Sequence, residues 1–166
     1  MAQEYLRRNN STAGNRRTWT WAGWVKLSGD VHSVLYSSDG SSDTDRLVLG
    51  YYNNYFYLWG TSINFIQTTR KVRDPGNWHH ILVHLDTTQS KVEHRLNLYI
   101  DGAIVEEFNT DNRSSLTKNA IRGINRAAIH AIGRDYGAGG YHAEANLTDI
   151  FLVDGQALTP DVFGFY

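Results

Sequence analysis

The sequence predicts an all-β fold, an antiparallel β-sandwich of two sheets. Three observations carry that expectation. Short segments alternate apolar and polar residues with period two, the pattern of half-buried strands. Glycine is frequent (15), proline is rare (2), and 10 Tyr, 6 Phe and 5 Trp are spread along the chain, a composition that suits sandwiches and barrels. No segment shows a convincing amphipathic helical period. At 166 residues the chain is expected to form a single domain, 1–166, burying roughly 70% of its unfolded surface without staples.

The central element is 78–102. Ile81, Val83 and Leu85 face one way, with His80 and His84 opposite; Leu96, Leu98 and Ile100 form a second apolar row, with Asn97 and Tyr99 opposite. The polar stretch Thr87 to Arg95 closes an antiparallel hairpin. Asp101-Gly102 is a tight-turn dipeptide that reverses the chain into Ala103 to Phe108. From the start of the chain, Tyr5-Leu6-Arg7 reads as a short strand and Asn9 to Asn15 as a polar loop. Trp19, Trp21, Gly23 and Val25 then share one strand face, and Thr20, Ala22 and Trp24 the other. Bulk on both faces argues a central strand and leaves open whether Trp21 or Trp24 points into the core. Val34-Leu35-Tyr36 is a further strand. Arg46 to Tyr52 and Tyr55 to Trp59 flank Asn53-Asn54, and because Asn tolerates positive φ this is a two-residue hairpin. Ile63 to Thr68 is a strand and Lys71 to Asn77 a turn region. Asn109 to Ala128 is polar and mixed, a short helix or an extended loop. Ile129 to Gly133 is a strand, Tyr136 to Tyr141 a glycine-rich turn, and Leu147 to Val153 a strong final strand. Pro160 and Asp161 open a brief helical turn. The expected core is Trp21 or Trp24 with Ile81, Val83, Leu98, Ile100, Ile150 and Leu152.

Charge narrows the partners. The formal net charge is -1, with both signs scattered, so neither a basic nucleic-acid groove nor a polybasic membrane patch is expected. No apolar run approaches the roughly 20 residues that span a bilayer. Met1 to Arg8 lacks the apolar core of a signal peptide, and there is no cysteine, which fits folding in a reducing cytosol. The expectation is a soluble chain made in the cytoplasm, with no nucleic-acid and no membrane partner. The sequons at Asn9, Asn10, Asn112 and Asn146 then read as chance matches.

Trp78-His79-His80, the apolar strand after it, and Leu98-Tyr99-Ile100-Asp101-Gly102 together resemble the middle of laminin-G-like, concanavalin-A-like jelly-roll domains. Arg16 to Lys26 resembles the first core strand of that family. Ala131-Ile132-Gly133-Arg134, Tyr141 and Leu147 to Pro160 resemble its closing segment. The ending Asp154-Gly155-Gln156-Ala157-Leu158-Thr159-Pro160, followed by Phe163-Gly164, is similar to a subgroup found in bacteriophage virion proteins. The resemblance implies a jelly roll whose terminal strands pair. It implies a non-enzymatic virion structural protein, a capsid decoration or tail appendage with a lectin-like fold. Its partners would be other virion proteins, copies of itself in a homo-oligomer, and host glycans. Residues 1–15 would form an N-terminal contact arm, and Leu158 to Tyr166 a second contact segment. The alternatives are a free-standing carbohydrate-binding lectin module and, less favoured, a glycan hydrolase.

Each candidate site stands against a plainer reading. Glucan-cleaving members of the resembled family carry Glu-x-Asp-x-x-Glu or Glu-x-Asp-x-Glu on one strand, two carboxylates on one face for acid and nucleophile. This chain has no such run: Asp43-Thr44-Asp45 lacks a glutamate, and Glu106 and Glu107 face opposite ways on a strand. A Gly-x-Ser-x-Gly elbow and a cysteine nucleophile are also missing, so no catalytic residue is assigned. His79 and His80 point to opposite faces. His80 and His84 share a face about 13 Å apart, at roughly 3.3 Å per residue, too far to ligate one zinc. Asp39, Asp43 and Asp45 in a serine-rich loop are the candidate calcium ligands, with Asp135 and Asp111 as additions if the fold brings them near; the plainer reading is a solvated acidic loop. No cofactor is required. The aromatic group Tyr51, Tyr52, Tyr55, Tyr57 and Trp59, with Tyr136 and Tyr141 flanking the glycine-rich turn, is the candidate ligand-binding set. Flat aromatic faces suit sugars and protein partners alike, against the plainer reading that alternate tyrosines pack the sandwich.

Overall fold

The structure is a computed structural model that describes residues 4–28, 32–40, 46–60, 63–74, 76–136 and 140–164. Among the described residues the strands are β1 (Leu6–Asn9), β2 (Thr18–Leu27), β3 (Ser33–Ser38), β4 (Leu47–Tyr52), β5 (Tyr55–Gly60), β6 (Asn64–Thr68), β7 (His79–Asp86), β8 (Leu96–Ile100), β9 (Ala103–Ile104), β10 (Phe108–Asp111), β11 (Ile129–Ile132) and β12 (Ala145–Asp154), with 3-10 turns at Val92–His94, Arg113–Ser115 and Pro160–Phe163. They form two antiparallel sheets. One has seven strands in the order β1-β11-β3-β4-β5-β6-β10, the other five in the order β12-β2-β7-β8-β9. This is the all-β, two-sheet jelly-roll sandwich that the alternating pattern and the resemblance led us to expect.

The period-two pattern decides what faces inward. Ile81, Val83 and Leu85 on β7 and Leu96, Leu98 and Ile100 on β8 are buried in one core cluster with Trp19, Trp21 and Val25 of β2. Trp21 is therefore the inward tryptophan, while Trp24 faces outward, its ring 5.3 Å from that of His80. From the opposing sheet come Leu35, Leu49, Tyr51, Phe56 and Leu58. Ile150 and Leu152 lie only half-buried at the rim of this core, because β12 is an edge strand and its pairing with β2 slips between Thr148 and Phe151, around an Asp149 with φ 50°.

The sheet order changes two expectations. The terminal strands do not pair: β1 joins β11 in the seven-stranded sheet and β12 joins β2 in the other. Leu6 is left largely exposed, on the edge strand of the larger sheet. The stretch Ala103 to Phe108 is not one strand. β9 ends at Ile104, and the chain crosses so that β10 pairs with β6. Asn109 to Ala128 is mostly irregular, with a single short 3-10 turn. The arm is tied to its own body, with Asn10 N–H donating to Ala128 O at 3.0 Å, Gly14 N–H to Asn125 O at 2.8 Å and Asn15 N–H to Asp154 Oδ1 at 2.7 Å.

The tail determines which outer face stays open. Past β12 it runs across the outside of the five-stranded sheet. Thr20 Oγ1 donates to Gln156 O and accepts from Leu158 N–H, both at 2.8 Å. His84 Nδ1 meets Leu158 O at 2.8 Å, and Phe163 stacks near His80 and Phe151 at 5.9 and 5.8 Å. His80 and His84 are consequently buried rather than solvated. Among the described residues the tail gives the outer face of β4, β5 and β6 no such cover.

Candidate functional site: an aromatic cleft

The hairpin of β4 and β5 builds the site. Asn53 and Asn54 adopt φ of 51° and 68°, the left-handed pair that a two-residue type I′ turn requires. The turn fixes the register, so that Tyr52 opposes Tyr55, Gly50 opposes Tyr57 and Val48 opposes Trp59. β6 then places Gln67 beside Tyr57 and Asn64 beside Trp59. Alternation sends Phe56 and Leu58 to the core and leaves Tyr55, Tyr57 and Trp59 on the outer face. Gly50 matters here because its missing side chain makes room for a ring. A Cβ there would stand 2.3 Å from Tyr57 Oη, so the Tyr57 phenol lies directly on the β4 backbone.

Loops from elsewhere in the chain complete a cleft of about 350 Å³ over this face. His32, just before β3, stacks 4.2 Å from the Tyr141 ring and shares a 2.7 Å hydrogen bond between its Nε2 and Tyr57 Oη. Tyr52 sits 5.2 Å from His32 on the other side. Arg46 and Asp135 form a buried ion pair at the wall, and the Arg46 guanidinium lies 4.7 Å from the Trp59 ring, a cation-π contact. Burial holds His32 below the usual imidazole range, against the opposing pull of Asp135. Burial also pushes the Tyr57 phenol well above its usual value, helped by Asp135 and opposed by Arg46. At neutral pH the pair is therefore an uncharged phenol and an uncharged imidazole.

Of the seven candidate aromatics, Tyr52, Tyr57, Trp59 and Tyr141 meet in this cleft. Tyr51 does not. It is 1% exposed, and its hydroxyl donates to Val72 O at 2.5 Å, because in the hairpin it pairs with core-facing Phe56. Tyr55 lies one step outside, with Lys71 Nζ 5.0 Å from its ring. Tyr136 belongs to a separate stack in which Arg134 lies 4.7 Å from the Tyr5 ring and 5.4 Å from its own. Sequence reasoning missed His32, Arg46, Val48, Asn64 and Gln67 as lining residues. Counting from the Asn-Asn turn would have found Val48; nothing local marks His32.

For the calcium loop, Asp43 and Asp45 lie outside the described residues. Asp39 has its carbonyl oxygen tied by Arg126 at 2.8 Å. The two suggested additions are engaged elsewhere, Asp135 with Arg46 and Asp111 with Arg113 at 2.6 Å. Among the described residues no group of three or more His, Cys, Asp or Glu side chains gathers. A larger hollow of about 680 Å³ opens between β1 and β12, edge strands of the two sheets, walled by Tyr36, Ile132, Ile150 and Leu152. None of the candidate residues reaches it.

Comparison with known proteins agrees with the architecture. The family model described as the concanavalin A-like lectin/glucanases superfamily matches residues 2–161. No curated protein matches the chain. Among solved structures, the heptameric SAP-like pentraxin from Limulus polyphemus is similar, at TM-score 0.62 and 16% identity over 93% of this chain and 71% of that one. Trypanosoma rangeli sialidase in complex with sialic acid matches at TM-score 0.59 and 14% identity, over 90% of this chain but only 22% of the sialidase. A structure of botulinum neurotoxin type C, whose cell entry depends on interaction with two ganglioside molecules, matches at TM-score 0.57 and 8% identity, over 90% of this chain and 35% of that one. At these identities the likeness is one of fold.

Proposed function

The chain belongs to the concanavalin A-like lectin/glucanases superfamily, and from that premise we propose that it is a non-enzymatic glycan-binding domain whose sugar lies in the cleft of Tyr52, Tyr57, Trp59 and Tyr141. The observation that carries this reading is the convergence of four aromatic side chains, from β4, β5 and the loop after β11, on one outer sheet face. Such a face is ordinarily polar where it meets water. Aromatic rings cover the C–H face of a pyranose, and nearby amides such as Asn64 and Gln67 hydrogen-bond its hydroxyls. The sialic acid held by the sialidase and the gangliosides on which the neurotoxin depends support a glycan as the ligand class. The heptameric pentraxin supports association of copies.

Binding is favoured over cleavage by the carboxylates. Glycosidic hydrolysis uses two, whereas Asp135 is the one carboxylate among the described residues that line the cleft, and it is paired with Arg46. The closing segment's resemblance to phage virion proteins supplies the setting, a domain displayed on a capsid or tail appendage.

A glycan array, run with calcium and with a chelator, tests the site. Tyr57→Ala and Trp59→Ala are expected to lose binding while retaining a single cooperative melting transition, at a somewhat lower Tm than the wild type because the contacts of these rings with His32 and Arg46 are lost. Retained binding in both variants would place the ligand elsewhere, and hydrolysis of laminarin by pure protein would overturn the non-enzymatic reading. Mass spectrometry of purified phage particles tests the setting, which absence of the chain from them overturns.

A further inference from the structure

We infer that the saccharide taken by this cleft is uncharged, and that glycans ending in sialic acid, a uronic acid or a sulfated sugar are rejected by charge. The inference rests on the glycan-binding reading above and deepens it. Among the described residues that line the cleft, the charged groups are Arg46 and Asp135, and they form an ion pair with both side chains buried, at 5% and 6% exposure. Their charges cancel. Releasing Arg46 to an incoming carboxylate breaks a buried ion pair, which is strongly unfavourable. His32 carries no charge at neutral pH, held there by burial.

Neighbouring cations are engaged away from the cleft. Lys71 lies against Tyr55, and Arg134 lies against Tyr5 and Tyr136. The segments that adjoin the lining residues in sequence, 29–31, 41–45, 61–62 and 137–139, contain Asp30, Asp43 and Asp45 and no Lys or Arg. An anionic sugar entering here gives up the water around its carboxylate or sulfate and finds, among the described lining residues, no cation beyond the one already paired with Asp135, a cost that an uncharged sugar does not meet.

What the cleft does offer suits hydroxyl groups. The Tyr57–His32 pair both donates and accepts. Trp59 and Tyr52 supply apolar faces. At about 350 Å³ the cleft sits at the small end of ligand sites, which run from roughly 300 to 1,000 Å³, so it holds the end of a glycan rather than a long stretch.

The experiment is an array of matched pairs, each neutral glycan beside its sialylated, sulfated or uronic counterpart, with the wild-type chain, Tyr57→Ala and Gln67→Lys. The expected result is binding to neutral members at least about tenfold tighter than to their anionic partners, since a charge-assisted hydrogen bond is the missing contribution. Tyr57→Ala abolishes this binding. Gln67→Lys, which adds a cation without touching the buried pair, narrows the preference. Equal or stronger binding of anionic members overturns the inference and leaves the glycan reading standing. An unchanged preference in Gln67→Lys also overturns it, because charge is then not the discriminator. Failure of every glycan to bind removes both readings together.

Discussion

Gly50→Ala separates the integrity of the cleft from that of the fold. An ideal Cβ at Gly50 stands 2.3 Å from Tyr57 Oη, 2.4 Å from Cζ and 2.8 Å from Cε1. Non-bonded carbons settle at about 3.5–4.0 Å, so the ring must lift by more than about 1 Å. It has somewhere to go, since it faces the open cleft and not the core. The displacement breaks the His32 hydrogen bond of 2.7 Å, about 1 kcal/mol, and pulls the side chain off its rotamer, roughly 0.5–1.5 kcal/mol. Gly50 does not adopt a positive φ, so alanine meets no backbone strain and recovers about 0.4–1 kcal/mol through the unfolded state. The net cost is about 1 kcal/mol, which for a chain of this size lowers Tm by roughly 2–4 °C. Sugar affinity, by contrast, falls at least about tenfold, because the misplaced ring no longer forms the floor of the site. Melting curves and glycan titration on the same preparation measure both. In a Tyr57→Ala background, Gly50→Ala should become neutral or stabilising, a non-additivity that reports the contact directly. Unchanged affinity in Gly50→Ala, or a loss of Tm beyond about 15 °C, would refute the reasoning: the first by showing that the ring is not the floor, the second by showing that the strand moves in its place.

Three further perturbations test the scaffold. Arg46→Met should cost about 3–5 kcal/mol by removing the cation of a buried ion pair, while Arg46→Met with Asp135→Leu should recover most of it; denaturant titration distinguishes the two, and equal losses count against a buried pair. Asn53→Ala should cost about 1–2 kcal/mol, because its φ of 51° strains any residue with an ordinary Cβ, and Asn53→Gly should cost close to nothing. Stability should also fall as pH drops below about 6.5. Burial holds His32, His80, His84 and His130 below the ordinary imidazole value, so over that window the unfolded chain binds more protons than the folded one and acid favours unfolding. Asp111, held low chiefly by Arg113, loses its contribution only below about pH 4, so a Tm that stays flat from about pH 7.5 to 5 would contradict the burial of the histidines.

How much of this was legible in the chain depends on the range over which each feature is set. The 78–102 hairpin was, since alternation and a turn dipeptide are local. So was the turn at Asn53-Asn54, and with it the register of the cleft. Crowding on one hairpin alone groups Tyr51 with its neighbours in the candidate ligand-binding set. Counted from the turn, Tyr52 opposes Tyr55, Tyr51 opposes Phe56, and the two tyrosines must face opposite ways. That information was present. His32 and Asp135 are different. They reach Tyr57 and Arg46 because β11 lies beside β3 and β3 beside β4, an order set by pairings between distant segments and carrying no local period. Trp24 shows the same limit from the other side. Two tryptophans on opposite faces of one strand are equivalent by pattern, and what distinguishes them is the tail, whose Leu158 and Phe163 cover the outside of β2 and β7. The tail also explains why the site lies where it does. With the five-stranded sheet covered by its own C-terminal segment, the hairpin face of Tyr57 and Trp59 is, among the described residues, an outer sheet face that the tail leaves open to a ligand.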